Sequence, residues 1–157
     1  MLSKILKTED CKCCKKCCKF FLDEDWDIPL LTESEKNLHE FNPNIVYSHS
    51  KLWKINILGL NNEIKTSCPF LDESIGCILS DNKPFECKIW PFHIMKRNGN
   101  ELLITLSKEC PIINKCDKEK IIAIAIDNKD KLFKVAFEYP EILKHFSDDY
   151  EIILKFN

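Results

Sequence analysis

The chain has 157 residues, 45% hydrophobic and 31% charged, enough for one globular domain with its own core and a composition that implies no disordered tail. Its net charge is -2 with lysines and carboxylates interspersed, which excludes an obvious nucleic-acid footprint. Glycine occurs only three times, at Gly59, Gly76 and Gly99, so neither a dinucleotide-binding turn nor a phosphate loop can be written.

Met1–Lys7 holds no apolar stretch of signal-peptide length before Glu9-Asp10. The longest purely apolar run, Ile121–Ile126, is far short of the roughly 20 residues of a membrane helix. The expected location is therefore the cytoplasm, where thiols stay reduced, with no membrane and no nucleic acid as partner. After a dense cysteine cluster at residues 11–18, Lys19-Phe20-Phe21-Leu22 leads into an acidic stretch that ends at Trp26. Thr32-Glu33-Ser34-Glu35 is a capping box, in which hydroxyl and carboxylate satisfy each other's backbone donors, so a helix starts there with Leu38 and Phe41 on its apolar face. Leu52–Leu60 carries Trp53, Ile55, Ile57 and Leu58 in partial alternation, and with Asn61-Asn62 and Ile64 it predicts a hairpin.

Pro69, Pro84 and Pro91 break the segment from Cys68 to Phe92, which places the remote cysteines on loops and short turns. Ile94-Met95-Lys96, the Asn98-Gly99 turn and Leu102–Leu106 predict a second hairpin, delivering the chain to Cys110-Pro111. From Asp117 the period becomes helical, with Ile121, Ile124, Ala125, Leu132, Val135 and Ala136 on one face until Pro140. A short helix around Glu141–His145 and the apolar tail Ile152-Ile153-Leu154 complete the chain. The expected fold is α+β: a small single domain over residues 1–157, with two β-hairpins, a long C-terminal core helix and cysteine-bearing loops around a metal centre.

Ten cysteines carry the chemistry, five of them in the eight residues Cys11-Lys12-Cys13-Cys14-Lys15-Lys16-Cys17-Cys18. Free thiols packed this densely are an oxidation liability unless a metal holds them as thiolates. Disulfides are the alternative for an even number, but a reducing compartment and adjacent Cys-Cys pairs disfavour them. Cys11, Cys14 and Cys17 read C-x-x-C-x-x-C, a run that brings three thiolates to one centre, and the chain has two Cys-Pro dipeptides of the kind such runs use for a further ligand, Cys68-Pro69 and Cys110-Pro111. Cys18 adjoins Cys17, so one closed site does not readily take both. Two four-thiolate sets, or one larger cluster, drawn from Cys11, Cys14, Cys17, Cys18, Cys68, Cys77, Cys87 and Cys110 are expected, with Cys13 and Cys116 left over. Which remote cysteine completes which set stays open. Lys12, Lys15, Lys16 and Lys19 either stabilise thiolate or form a solvated face. His39, His49, His93 and His145 read as surface or packing residues, His93 being the best placed for a metal by its nearness to Cys87. Trp90-Pro91-Phe92 reads as packing.

With Cys68-Pro69-Phe70-Leu71-Asp72, Gly76-Cys77-Ile78-Leu79, Lys83-Pro84-Phe85-Glu86-Cys87-Lys88, Trp90-Pro91-Phe92 and Cys110, the cluster resembles the C-x-x-C-x-x-C-C cysteine-cluster proteins, a zinc- or iron-chelating family. The resemblance implies eight cysteine ligands, the eight named above. The family usually has Arg-Pro and Cys-Arg where this chain has Lys83-Pro84 and Cys87-Lys88, and lysine lacks the planar fork of arginine. The pattern is similar also to that of flagellin lysine N-methylases, which are associated with an iron-sulfur cluster, and this favours iron over zinc.

Structural zinc sites commonly pair two C-x-x-C knuckles, and no second knuckle exists here. The leading expectation is an iron-sulfur cluster of [4Fe–4S] type in electron transfer, redox sensing or an accessory role, acting with a protein or redox partner. The alternatives are a zinc-stapled interaction module and a relative or component of a protein lysine methylation system, although no catalytic motif for the latter is visible.

Overall fold

The computed structural model describes residues 8–21, 27–39, 42–57, 65–98 and 101–156. They form two compact units, one within residues 8–88 and the other within residues 89–156, both of mixed helix and sheet.

The first unit is made of short pieces. Helix α1 (Thr8–Cys14) and a 3-10 turn (Lys16–Cys18) precede strand β1 (Lys19–Phe21), which is antiparallel to β5 (Lys65–Ser67), with Phe20 opposite Thr66. Strand β2 (Leu30–Leu31), helix α2 (Glu33–Asn37) and strands β3 (Ile45–Tyr47) and β4 (Trp53–Ile55) follow, and the three strands form a sheet in the order β2-β4-β3. The predicted start of α2 is observed. The Thr32 hydroxyl accepts from the Glu35 N–H while Glu35 returns a carboxylate to the Thr32 N–H. Leu38, expected on the apolar face, is the C-cap of this five-residue helix and is 56% exposed. A single turn and a half has too little length to build a buried stripe.

The first hairpin differs from the predicted one. Trp53–Ile55 does form a strand, but its hairpin partner is the upstream β3, through a turn in which Ser50 and Lys51 adopt positive φ and the Ser48 and Leu52 backbones bond at 2.9 Å. Asn61-Asn62, Ile64 and Phe41 lie outside the described residues. Lys65–Ser67 pairs with β1 instead, because Phe20 and Thr66 bury their side chains there. A second, very tight hairpin joins β6 (Leu71–Asp72) to β7 (Gly76–Cys77), and a 3-10 turn (Ser80–Asn82) leads to α3 (Phe85–Ile89). The remote cysteines thus sit on short regular elements as well as turns. Phe20, Ile28, Leu31, Ile45, Ile55, Ile57, Cys68 and Phe70 form the buried cluster of this unit.

The second unit is built from longer elements. Strand β8 (Phe92–Arg97) and β9 (Glu101–Ser107) form the predicted antiparallel hairpin, with Arg97 opposite and hydrogen-bonded to Glu101; Gly99 lies outside the described residues. Helix α4 (Lys118–Glu138) begins where Asp117 accepts from the Glu119 N–H, and it buries Ile121, Ile124, Ala125, Leu132 and Ala136, as the periodicity requires, with Val135 half-buried. The expected short helix at Glu141–His145 is a 3-10 turn (Pro140–Ile142) followed by strand β10 (Lys144–His145), since Lys144 and His145 find a parallel partner in β8. The apolar tail is strand β11 (Tyr150–Phe156), which closes a sheet in the order β10-β8-β9-β11 and packs against α4. Leu103–Ser107 is buried without alternation, so both faces of β9 are covered along that stretch, where a strand with one face in water would alternate. No helix among the described residues is long and apolar enough to cross a membrane.

Candidate metal centre

The opening cysteine cluster is a helix followed by a reversal. Cys11, Cys13 and Cys14 lie on α1, and Lys15 then enters the left-handed region at φ 52°, which ends the helix and turns the chain into the 3-10 segment of Cys17 and Cys18. A non-glycine residue in that region must be held by something. Here the Lys15 ammonium donates to the Glu73 carbonyl at 2.7 Å and pairs with the Glu73 carboxylate, which lies below the usual carboxylate range chiefly through that bond. The cluster is tied in this way to the β6–β7 hairpin. Gly76, at φ +87°, has the Lys12 stem so near that a Cβ would stand 3.2 Å from its Cγ, so α1 lies close over the strand that carries Cys77. Asp72 shapes the same hairpin, accepting from the Ser74 hydroxyl at 2.6 Å, the Ser74 N–H at 2.8 Å and the Ile75 N–H at 3.0 Å.

Cys68 is joined directly to the cluster. Its N–H donates to the Cys18 carbonyl at 2.7 Å, just beyond the β1–β5 ladder, and the Leu71 N–H returns to the Cys68 carbonyl at 3.0 Å. Leu71 is the partner of Cys77 across the β6–β7 hairpin. Cys87 arrives on α3, whose approach is fixed by three bonds to residues 30–39. The Phe85 N–H donates to Glu35 at 2.6 Å, the Leu30 N–H to Glu86 at 2.7 Å, and the His39 ring nitrogen to the Asn82 carbonyl at 2.9 Å.

Electrostatics group four of these thiols. Burial pushes Cys68 up to about 12, with the charges of Cys18 and Cys77 adding to it against a bond from the Phe70 backbone. Burial likewise raises Cys77, and raises Cys87 well above the ordinary thiol value, where Cys68, Cys18, Glu86 and Cys77 each contribute. Cys18 moves the other way. The Cys17 thiol, its sulfur 3.9 Å from that of Cys18, draws Cys18 down to about 7, burial opposes, and the Lys83 ammonium helps. Cys18, Cys68, Cys77 and Cys87 therefore feel one another, and ionising them together costs repulsion that a soft cation would offset. This donor set fits zinc or iron.

Of the eight expected ligands, the structure places Cys14, Cys17, Cys18, Cys68, Cys77 and Cys87 in the first unit as thiols outside any disulfide. Cys11 lies on α1, and its side chain is outside the description. Cys110 belongs to the second unit, where it is buried just after β9. Among the described residues, no three His, Cys, Asp or Glu side chains already stand close enough to hold a metal ion. Cys13 is exposed, and Cys116 donates to the Ile112 carbonyl at 3.5 Å. His39 and His49 make the hydrogen bonds of packing residues, the latter to Ser48, while His93 sits against Tyr150 with a buried Nε2.

Among the lysines left open by the sequence, Lys15 is engaged by Glu73, and the ammonium that acts on Cys18 and Cys77 is that of Lys83. Glu35, Glu86 and His39 were missed as supports of the cysteine segment. Only Glu35 carried a signal, its own capping box, and that signal points to α2 alone.

Residues 10–111 match the family described as "CxxCxxCC: Putative zinc- or iron-chelating domain". No curated protein and no solved structure matches the chain.

Proposed function

The chain belongs to the CxxCxxCC family, and on that premise we propose that it is an iron-sulfur protein holding a [4Fe–4S]-type cluster through thiolates drawn from Cys11, Cys14, Cys17, Cys18, Cys68, Cys77, Cys87 and Cys110. The family's description as a zinc- or iron-chelating domain supports metal binding. The observation that carries the finer reading is the mutual electrostatic influence of Cys18, Cys68, Cys77 and Cys87, with Cys17 in contact with Cys18, in a unit that also holds the rest of the C-x-x-C-x-x-C run. Three local thiolates and a remote one are a donor arrangement that iron-sulfur clusters accept. When bound, such a cluster supplies one-electron exchange. The chain's own residues would set its surroundings: Cys68 lies within the apolar cluster and shields its side of the site from water, and Lys83 offsets thiolate charge at Cys18 and Cys77. The role is electron transfer, redox sensing or service to a larger enzyme, in the cytoplasm and with a protein or redox partner.

A structural zinc module is the second reading. It is favoured by the count of four mutually influencing thiols, Cys18 of the opening cluster and the remote Cys68, Cys77 and Cys87, which is the complement of a closed tetrahedral site. Anaerobic purification followed by an absorption spectrum and iron, zinc and acid-labile sulfide analysis separates the two. Brown protein with about four irons and four sulfides per chain is expected. Colourless protein with one or two zincs would replace the cluster with the zinc module.

A further inference from the structure

Helix α3, which carries Cys87 at its third residue, has five residues and starts after Pro84. A helix this short does not persist alone, since it satisfies hardly any of its own backbone groups. Its first N–H, that of Phe85, is met by a carboxylate fifty residues away in sequence. That carboxylate, Glu35, is at the same time the acceptor of a different helix. One oxygen receives the Thr32 N–H at 3.0 Å and the Thr32 hydroxyl at 3.1 Å, closing the capping box of α2, while the other receives the Phe85 N–H at 2.6 Å. Glu86 crosses back, taking the Leu30 N–H at 2.7 Å.

From this geometry we infer that Glu35 is a positioning residue for the thiolate site, one carboxylate that closes the N-termini of α2 and α3 together and thereby fixes where Cys87 stands relative to Cys18, Cys68 and Cys77. The inference rests on the metal-binding reading of those cysteines. Capping of α2 needs only one oxygen, so the second is available for this task. The shared carboxylate makes the start of the Cys87 helix rigid without any bond to sulfur, which is how supporting groups outside the ligand shell raise metal affinity. Glutamate suits it because both oxygens accept. Glutamine would keep one acceptor and turn an amide donor toward the other N–H.

The test compares Glu35→Ala with Thr32→Ala in the full chain, apo and reduced. Thr32→Ala removes the hydroxyl of the α2 cap yet leaves the Phe85 bond in place, so it measures what loss of α2 capping does by itself. Two readouts are taken: affinity for cobalt(II) and zinc by chelator competition, and the alkylation rate of Cys87 in metal-free protein by mass spectrometry. Expected is a loss of about tenfold or more in affinity for Glu35→Ala, with faster alkylation of Cys87, against less than about twofold for Thr32→Ala. Equal effects of the two variants, or wild-type affinity in Glu35→Ala, overturn the role. If Glu35→Ala does not fold, Glu35→Gln takes its place, and a loss no greater than that of Thr32→Ala overturns the role equally. Wild-type protein that binds neither cobalt, zinc nor iron overturns the metal reading itself and this role with it.

Discussion

The two units are held together in different ways. Residues 89–156 contain a 21-residue helix and strands of six and seven residues, and their order follows from long ladders and a continuous apolar helix face. In residues 8–88 no described element exceeds seven residues, and most are two or three long. Elements so short are not stable by themselves. They are fixed by bonds that run between distant segments: Cys68 to Cys18, Lys15 to Glu73, Phe85 to Glu35, Leu30 to Glu86. A unit of this kind gains most from a central cross-link, and the cysteines are concentrated there. The contrast teaches that regular structure in one half does the work that a thiolate-bound metal would do in the other.

The sharpest way to break the comparison is to take the metal away. Chelation or oxidative loss should remove most amide protection from residues 8–88, by several kcal/mol, while β8, β9, β11 and α4 keep theirs. Hydrogen exchange read by mass spectrometry checks this, and uniform loss over both units would show that they share one source of stability. Cys68→Ser should lower metal content at least tenfold, since it also puts a hydroxyl into the apolar cluster around Phe20 and Phe70.

An intermediate effect belongs to the second unit. His93 has a buried Nε2 without a hydrogen-bond partner, and burial, helped by the Lys144 charge, holds its pKa at about 3. The unfolded chain takes up that proton near pH 6.5, so the unfolded state binds more protons between the two values and stability falls as pH drops below about 6.5. Between pH 6.5 and 5 the loss is about 2 kcal/mol, at about 1.4 kcal/mol per unit. Urea denaturation of wild type and His93→Phe across this range checks it, and parallel pH profiles would discard the histidine as the cause.

Smaller still, Asp117→Ala should cost about 1 kcal/mol through the lost cap of α4, seen in the denaturation midpoint of the second unit and not in metal content. At the bottom of the scale, Cys13→Ser should leave metal content and stability unchanged, because Cys13 is exposed on α1. A drop in metal would enlist it as a ligand and revise the set of eight.

Whatever depended on residues within a few positions of each other could be read directly. The Thr32–Glu35 capping box, the Asp117 cap and buried face of α4, and the β8–β9 hairpin are of this type. Of the two expected hairpins only β8–β9 is present as predicted; the strand at Trp53–Ile55 pairs with the upstream β3, since an apolar alternation states that a strand exists and not which neighbour it pairs with. Likewise Ile152-Ile153-Leu154 is apolar enough to be buried in any element, and the sheet edge beside β9 made it a strand.

The cysteine pattern and its spacing were determined by the sequence alone, and so was the family it marks, because ligand identity is a property of side-chain chemistry. Tertiary structure decided that Cys18, Cys68, Cys77 and Cys87 influence one another, that Cys110 belongs to the other unit, that Lys83 is the cation acting on Cys18 and Cys77, and that Glu35 serves a second helix. Each of those depends on closing loops of tens of residues. The free energy of such closure is set by the burial and hydrogen bonding of many segments at once, which no local window contains.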